Sequence, residues 1–323
     1  MREKKTGVQG VNSGTQLTKK KNPILQEIVK NRQLYFMVAI PVIYILVFKY
    51  YPMIGAQIAF RNYLPAKGVW GSEWVGLKNF ARFFTNPQCW TYVKNTLLLS
   101  IYNLMLSIPF PVILAVCLNY CRSRAFGKTV QMVVYLPHFL SVVIVVSIMN
   151  LILDNRIGVV NNMIMALTGS KINFLGDAKF FRSLFVGSTI WQNTGWNSIL
   201  YIAALSGVDP QVHEAAIIDG ANKFRRIWHV DLTAIRPTII IMTIMNLGHV
   251  ISVGFDKTFL MQNSINLKVS EVLSTYEYKS GLGGLMPNYS YASAIGLVVS
   301  VVNFTMIIVS NKVANKLSGS GLW

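Results

Sequence analysis

Residues 214–237 read EAAIIDGANKFRRIWHVDLTAIRP, a charged and polar interruption between two long apolar segments. Its first three residues are good helix formers, and Gly220 permits a bend after about one and a half turns. Phe224, Ile227 and Trp228 then recur at helical spacing, which gives a second short helix one apolar face. The pattern predicts a small helix-turn-helix that docks a soluble partner, although an ordinary amphipathic surface loop fits it equally well.

These residues resemble the EAA loop of permease subunits from binding-protein-dependent ABC importers. In that family the loop has the form Glu-Ala-Ala, two residues, Asp-Gly-Ala, and a hydrophobic run to a Leu-Pro. The matching positions are Glu214, Ala215, Ala216, Asp219, Gly220, Ala221, Leu232, Ile235, Arg236 and Pro237. One position departs from the family, because Thr233 follows Leu232 where a Pro is usual. Pro237 alone is therefore expected to restart the next helix.

The resemblance implies a fold and a set of partners. The fold is an all-α membrane protein with six transmembrane helices, the type I ABC importer permease fold, and a cytoplasmic coupling helix that sits in a groove on the ATPase. The partners are a second permease subunit, expected to be a different chain, two copies of a cytosolic ABC ATPase, an extracytoplasmic solute-binding protein and membrane lipid. The residues implied to couple to the ATPase are Glu214, Ala215, Ala216, Asp219, Gly220, Ala221 and Arg225.

Composition predicts a membrane protein independently of the loop. Hydrophobic residues make up 53% of the chain and charged residues 13%, whereas soluble domains have about 25% charged residues. Apolar stretches recur at about 20 residues, the length that crosses a hydrocarbon core of about 30 Å. Backbone groups in lipid must bond internally, so the stretches are predicted to be helices. The six predicted spans are 35–54, 96–118, 130–153, 184–205, 238–261 and 291–309.

The distribution of Lys and Arg predicts the orientation. Basic residues concentrate before the first span, in the links after spans two and four, and in the tail, all on one side of a six-span chain. That side is predicted to be cytoplasmic, which places both termini and residues 214–228 in the cytosol of a multi-pass protein of the bacterial inner membrane. A net charge of +18 in a soluble chain would suggest nucleic acid, but no basic, aromatic nucleic-acid module is visible and none is expected to bind.

Four regions follow from this reading. Residues 1–33 form a basic cytoplasmic segment with a short interfacial helix and no signal peptide, and 34–93 hold the first span and an aromatic outer loop. Residues 94–311 form the importer transmembrane domain and 312–323 the cytoplasmic tail. Within the outer loop, residues 71–80 resemble the first outer loop of carbohydrate-type permeases. Its aromatic side chains fit a belt at the membrane interface, or in smaller part a contact with the solute receptor.

Polar side chains in spans four and five are the candidates for a translocation path. They are Trp191, Gln192, Asn193, Trp196, Asn197, Asn246, His249 and Asp256. Aromatic faces beside amide groups suit sugar rings, and polar groups inside a membrane are expected to face a partner helix or a wet path. If span five is one continuous helix, its polar residues share one face. Hydrogen bonding between helices explains the same residues without any substrate.

The sequence carries no enzyme signature. A phosphate-binding loop of the form Gly-x4-Gly-Lys-Ser/Thr is absent, so ATP hydrolysis is expected in a separate subunit. The three cysteines and four histidines lack metal-ligand spacing, and no catalytic residue, cofactor or metal is expected. His138 follows Pro137 inside span three, where a kink is predicted.

The loop, the outer loop and the ending Ile-Arg-Pro-Thr at 235–238 resemble the polysaccharide branch of these permeases, which includes importers of alginate and other acidic oligosaccharides. The expected function is ATP-driven import of an oligo- or polysaccharide. Lys49, Lys94 and Lys257 fit an acidic one but equally fit lipid or topology. The alternatives are a permease for another solute, an intramembrane enzyme using His249 and Asp256, and an ion-coupled transporter. An ion-coupled transporter would favour broken helices in both halves and gives no reason for the loop.

Overall fold

A computed structural model describes residues 30–248, 254–283 and 286–318, and the chain divides at residue 55 into two compact units. In the first unit, helix α1 (Arg32–Ile45) continues through a π-helical turn (Leu46–Tyr50) into α2 (Tyr51–Met53). Helix α1 carries no charged residue after Arg32. An apolar helix of this kind is suited to lipid or to another subunit.

In its described residues, the second unit is helical apart from one small hairpin. A 3₁₀ turn (Ile54–Phe60) leads into it, and two further 3₁₀ turns lie at Pro65–Lys67 and Leu136–Phe139. Its helices are α3 (Gly68–Gly71), α4 (Lys78–Thr85), α5 (Cys89–Ser107), α6 (Pro109–Asn119), α7 (Arg124–Tyr135), α8 (Val142–Leu153), α9 (Val159–Thr168), α10 (Ala178–Ser206), α11 (Pro210–Ile218), α12 (Lys223–Arg226), α13 (Leu232–Leu247), α14 (Phe255–Met261), α15 (Leu267–Ser270), α16 (Leu273–Gly281) and α17 (Tyr289–Ser318). The predicted all-α class is confirmed.

The aromatic outer loop is a folded structure with its own hydrogen bonds. Strands β1 (Arg61–Asn62) and β2 (Glu73–Trp74) pair antiparallel, and the guanidinium of Arg61 lies 5.4 Å from the ring centre of Trp74. The same guanidinium donates to the carbonyl of Ser72 at 2.9 Å. Trp70 and Trp74 both stay exposed, whereas Phe83 is buried. Some of these aromatic residues therefore form the loop's interior, and others remain free for a membrane interface or a partner.

Helix α10 is the central element of the second unit. It packs against α5, α6, α7 and α13. Its contact with α7 is close because Gly195 carries no side chain, and a Cβ at that position would lie 2.0 Å from the carbonyl oxygen of Val134. The buried cluster beside it includes Leu99, Phe181 and Phe185. Apolar side chains at helical spacing thus hold α10 against its neighbours.

Four helices in the described part of the chain are long and apolar enough to cross a membrane, namely Arg32–Phe60, Cys89–Asn119, Lys223–Leu247 and Tyr289–Lys316. The pair Arg124–Phe139 and Val142–Leu153 makes a fifth if it counts as one span. Helix α10 has 29 residues but is not among them, since polar side chains dilute its apolar ones. The multi-pass character is confirmed, and the number six stays a prediction.

Span three is broken where the sequence predicts a kink. The two helices of the pair meet at 102°, on either side of the turn that contains Pro137 and His138. Ser141 then restarts the chain as α8, its hydroxyl accepting a hydrogen bond from the Ile144 N–H.

The prediction of a continuous fifth span is wrong. Helix α13 ends at Leu247 and α14 begins at Phe255, after Gly254 with a φ of +23°. Glycine adopts such a conformation without a Cβ clash, so the helix can stop and restart there. Asn246 and Asp256 therefore do not share one helical face, and His249 lies outside the described residues.

The prediction that Pro237 restarts a helix is also wrong. Pro237 lies inside α13, and one helix runs from Lys223 to Leu247 through a π-helical turn at Ile227–Asp231. Thr233 retains the backbone N–H that a Pro would lack, so the helix passes the family's usual break point without interruption.

Candidate functional site

The loop at 209–222 is built from local caps at every helix end. The Asp209 carboxylate accepts a hydrogen bond from the Gln211 N–H at 2.9 Å, and Pro210 occupies the first position of α11. These are the residue types that start helices. The sequence therefore fixes where α11 begins, independently of any contact with the rest of the chain.

Helix α11 ends in a Schellman motif. The Gly220 N–H donates to the carbonyl of Ile217 at 3.0 Å, and the Ala221 N–H donates to that of Ala216 at 2.9 Å. Gly220 has a φ of +74°, a conformation that strains any residue with a Cβ. The next helix begins at once, because the Asn222 side-chain oxygen accepts a hydrogen bond from the Arg225 N–H at 2.9 Å. A tight turn thus holds two short helices at a defined angle.

The structure places the sequence-predicted coupling residues on this turn. Glu214, Ala215, Asp219, Gly220 and Arg225 are exposed, and Ala216 and Ala221 are half-buried. Four large apolar side chains beside them are 54% to 85% exposed, and we call them the docking patch: Ile217, Ile218, Phe224 and Trp228. Such contiguous apolar exposure with a charged surround is typical of a protein-binding surface.

A buried carboxylate fastens this loop to the helix bundle, and the sequence analysis missed its role. Asp231 is 0% exposed and accepts a hydrogen bond from the Tyr120 hydroxyl at 2.7 Å, just beyond the end of α6. His213 Nε2 on α11 lies 3.3 Å from its other oxygen. Burial and the hydrogen bond to Asp231 raise the pKa of Tyr120 to about 12, so this tyrosine stays a donor. The sequence contains one indication of this role, namely an acidic residue, Asp231, directly before the Leu232 of the family pattern.

A second site lies within the helix bundle, as a polar cavity of about 300 Å³. Helices α5, α8, α10, α13 and α14 enclose it. Of the predicted path residues, Gln192, Asn193, Asn246 and Asp256 line it. The side-chain oxygen of Asn103, in its wall, is buried without a hydrogen-bond partner. A buried acceptor of this kind is costly unless something else satisfies it.

The other predicted path residues lie elsewhere or already have partners. Trp191 lines a separate apolar groove, and Trp196 stacks on the His138 ring with centres 4.6 Å apart. Asn197 does not line the cavity. Gln192 also donates to the carbonyl of Leu140 at 2.9 Å, across the break in span three. The Asn193 side-chain oxygen lies 3.0 Å from His138 Nδ1, so the interhelical interpretation of the sequence pattern describes the observed contacts of Gln192, Asn193 and Trp196.

The cavity also contains polar residues that were not among the predicted path residues, although Lys257 was considered for an acidic saccharide. Ser100, Asn103 and Ser107 line it from α5, Thr189 lines it from α10, and Lys257 lines it from α14. The three residues on α5 recur at i, i+3 and i+7, a spacing that places them on one face of an otherwise apolar helix. This spacing could have identified α5 from the sequence as a helix with one polar face.

A model of the family described as "Binding-protein-dependent transport system inner membrane component" matches residues 93–319 of this chain. The matched region includes both the loop at 209–222 and the polar cavity.

Two curated relatives match over nearly their whole length. The protein LplB of Bacillus subtilis (strain 168) is 43% identical over 91% of this chain and 92% of its own. The polygalacturonan/rhamnogalacturonan transport system permease protein YteP of the same organism is 40% identical over 94% of each chain.

A solved structure has the same fold. A chain of a bacterial ABC transporter involved in the import of the acidic polysaccharide alginate matches with a TM-score of 0.85 at 34% identity, covering 92% of this chain and 100% of that one. The bacterial alginate ABC transporter in complex with an alginate pentasaccharide-bound periplasmic protein matches equally well, with a TM-score of 0.85 and 93% of this chain covered.

Proposed function

The chain belongs to the family of inner-membrane components of binding-protein-dependent transport systems, and on that premise we propose that it is a permease subunit that moves an oligo- or polysaccharide through an ATP-driven importer. It is a multi-pass protein of the inner membrane. In this proposal the chain binds no ATP itself, and hydrolysis belongs to a separate subunit.

The observation that carries the proposal is the docking patch on a helix pair that Gly220 bends. Ile218 and Phe224 are more than four-fifths exposed, on a loop whose ends are fixed by caps. A rigid apolar projection of this size needs a complementary groove, which a cytosolic ATPase would supply. The coupling residues are then Glu214, Ala215, Ala216, Asp219, Gly220, Ala221 and Arg225.

The Asp231 junction gives the coupling loop a mechanical connection to the bundle. When the ATPase moves α11, the contacts from Asp231 to His213 and Tyr120 transmit that movement to α6 and α13. These contacts should persist during the movement, because breaking them would leave a buried carboxylate without a partner.

The polar cavity is the proposed substrate path. Its amide and hydroxyl groups suit the hydroxyls of a sugar, and Asn193, Asn246 and Asp256 are the sequence-predicted residues placed to contact one. Trp191, Gln192, Trp196 and Asn197 are proposed to support or extend it, and His249 belongs to the segment that joins α13 to α14. The relatives named for polygalacturonan, rhamnogalacturonan and alginate transport support a saccharide substrate.

The proposed assembly contains a second, different permease chain, two copies of the ATPase and an extracytoplasmic solute-binding protein. Both termini and the coupling loop face the cytosol. The proposed regions are 1–33 as the cytoplasmic segment, 34–93 as first span and outer loop, 94–311 as transmembrane domain and 312–323 as tail. Residues 1–29 and 319–323 lie outside the described part of the chain.

The direct test is purification of the tagged chain from its native membranes in mild detergent, with the ABC ATPase identified by mass and by ATP hydrolysis. The ATPase should co-purify with the wild type and be lost from Phe224→Glu. Phe126→Glu is the matched control, because Phe126 is also exposed and lies in the link after span two, on the predicted cytoplasmic side. Retention of the ATPase by Phe224→Glu, or equal loss from Phe126→Glu, would contradict the docking assignment.

A further inference from the structure

Lys257 is a buried cation in the wall of the polar cavity. Its side chain is 5% exposed, and its ammonium donates one hydrogen bond, to the Thr189 hydroxyl at 2.8 Å. The ammonium also lies 5.3 Å from the ring centre of Phe185. An ammonium has three donors, so two of them are not used by these contacts.

No carboxylate within the described ranges forms an ion pair with Lys257, although a buried charge normally has a partner. Asp256 is the neighbouring acid and lines the same cavity, but it is exposed. Water screens an exposed carboxylate far more than a buried ammonium, so the field inside the cavity is dominated by Lys257.

The rest of the cavity wall carries groups that suit a sugar and little further charge. Among the described residues that line the cavity, Lys257 and Asp256 are the charged ones, and the others are amides, hydroxyls and apolar groups. The two further lysines that the sequence analysis considered for a polyanion, Lys49 and Lys94, are exposed and do not line it.

We propose that Lys257 binds the carboxylate of a uronic acid unit as the saccharide passes through the cavity, and so makes this permease selective for acidic over neutral saccharides. The proposal rests on the proposed function and adds to it the substrate class and the residue that reads it. The carboxylate would take the two unused donors of the ammonium, and the amides of Asn103 and Asn193 would contact the sugar hydroxyls.

The test compares an acidic ligand with its neutral methyl ester. The complete importer is reconstituted in proteoliposomes with its solute-binding protein, and ATP-dependent uptake is measured for oligogalacturonate and for its fully methyl-esterified, neutral form. The acid-to-ester uptake ratio is then compared between the wild type and permease variants. Since the same binding protein serves every variant, its own preference cancels in that comparison.

Lys257→Met is the main variant, because an apolar side chain of similar size usually replaces a buried charge without loss of stability. The uptake ratio should fall by about tenfold to a hundredfold, as expected for a lost hydrogen bond to a charged group. Lys257→Arg should retain the preference. Lys94→Met is the control, because Lys94 is an exposed lysine that does not line the cavity, and it should leave the ratio near the wild-type value.

The outcomes separate this inference from the proposed function. An unchanged ratio in Lys257→Met overturns it, and so does an equal loss of both ligands, which would mean that Lys257 serves assembly. If the wild type imports acid and ester equally well, the inference fails while the importer function stands. Uptake of neither ligand by the wild type contradicts the acidic substrate, and an additional absence of receptor-stimulated ATP hydrolysis contradicts the importer function itself.

Discussion

Two residues determine the coupling loop in different ways. Gly220 supplies a backbone conformation, since its φ of +74° closes α11 and turns the chain into α12. Asp231 supplies a connection, since its buried carboxylate joins α11 to Tyr120, just beyond the end of α6. The first is a property that glycine alone has at no steric cost, and the second requires both partners to be present.

Gly220→Pro should uncouple the importer. Proline fixes φ near −65°, so the Schellman motif cannot form and the docking patch loses its shape. Uptake should fall to background while membrane insertion and expression persist. Gly169→Pro is the control, because Gly169 has a φ of +73° after α9 and no Cβ contact, like Gly220, yet lies outside the loop. Normal uptake by Gly220→Pro, or equal loss in both variants, would refute the role of the turn.

Tyr120→Phe should weaken both stability and transmission. It leaves one oxygen of a fully buried carboxylate without its donor, at a cost of about 1–3 kcal/mol. We expect a lower midpoint in thermal unfolding of the detergent-solubilised protein, together with a larger fraction of ATP hydrolysed without uptake. Tyr135→Phe serves as comparison, since the Tyr135 hydroxyl has no such partner among the described residues. A Tyr120→Phe protein with wild-type midpoint and coupling would show that the junction contributes nothing.

At the scale of elements, the central helix and the two broken spans position the cavity. Helix α10 supplies Thr189 and Asn193, α5 supplies a polar stripe, and the restart at Gly254 presents Lys257. Without that break, the chain would have to place Lys257 along the axis of α13. The break before Gly254 thus allows the chain to place the Lys257 ammonium in the cavity wall.

Substitution of two glycines on α10 by alanine should have different effects on the free energy of unfolding. A Cβ at Gly195 would meet the Val134 carbonyl, whereas nothing lies within 4 Å of one at Gly187. Gly195→Ala should therefore push α10 away from α7 and cost about 1–3 kcal/mol. Gly187→Ala should be neutral or stabilise by up to about 1 kcal/mol. Thermal midpoints in one detergent provide the comparison, and equal midpoints would mean that the close approach does not exist.

Sequence reasoning reached the elements that depend on local chemistry. The helix formers at 214–216 and Gly220 predicted the turn, and Pro137 predicted a kink in span three, because these effects act within a few residues. It missed the break in span five, where hydropathy stays high across Gly248 and Gly254, and it therefore placed Asn246 and Asp256 on one face. The sequence analysis also argued against an ion-coupled transporter from a lack of broken helices. Spans three and five are both broken, so that argument fails. The family match instead favours an ATP-driven importer. The Asp231 junction joins residues more than a hundred positions apart, which no local pattern reveals.

At the scale of the whole molecule, the proposed function requires one orientation of the chain in the membrane. In the proposed topology, the loop at 209–222 and both termini lie on the same side, and the cavity must open toward the opposite side at some stage of transport. The outer hairpin, with Arg61 held against Trp74, lies in the loop that would face the solute-binding protein.

Reporter fusions test that orientation. A reporter inserted near Lys223 and one fused after Lys316 should both be cytoplasmic, and one inserted near Lys67 should be external. Lys67 lies in the outer loop between the 3₁₀ turn and α3, so insertion there should leave the spans intact. An external reporter near Lys223 would remove the docking patch from the ATPase.

The central claim is that this chain couples ATP hydrolysis in another subunit to saccharide movement through its own cavity. The most direct measurement is ATP-dependent uptake of a labelled oligogalacturonate into proteoliposomes that contain the chain, its partner permease, the ATPase and the loaded solute-binding protein. The account predicts that uptake requires ATP inside the vesicles and the binding protein outside. Uptake that persists without ATP and follows an ion gradient would contradict it.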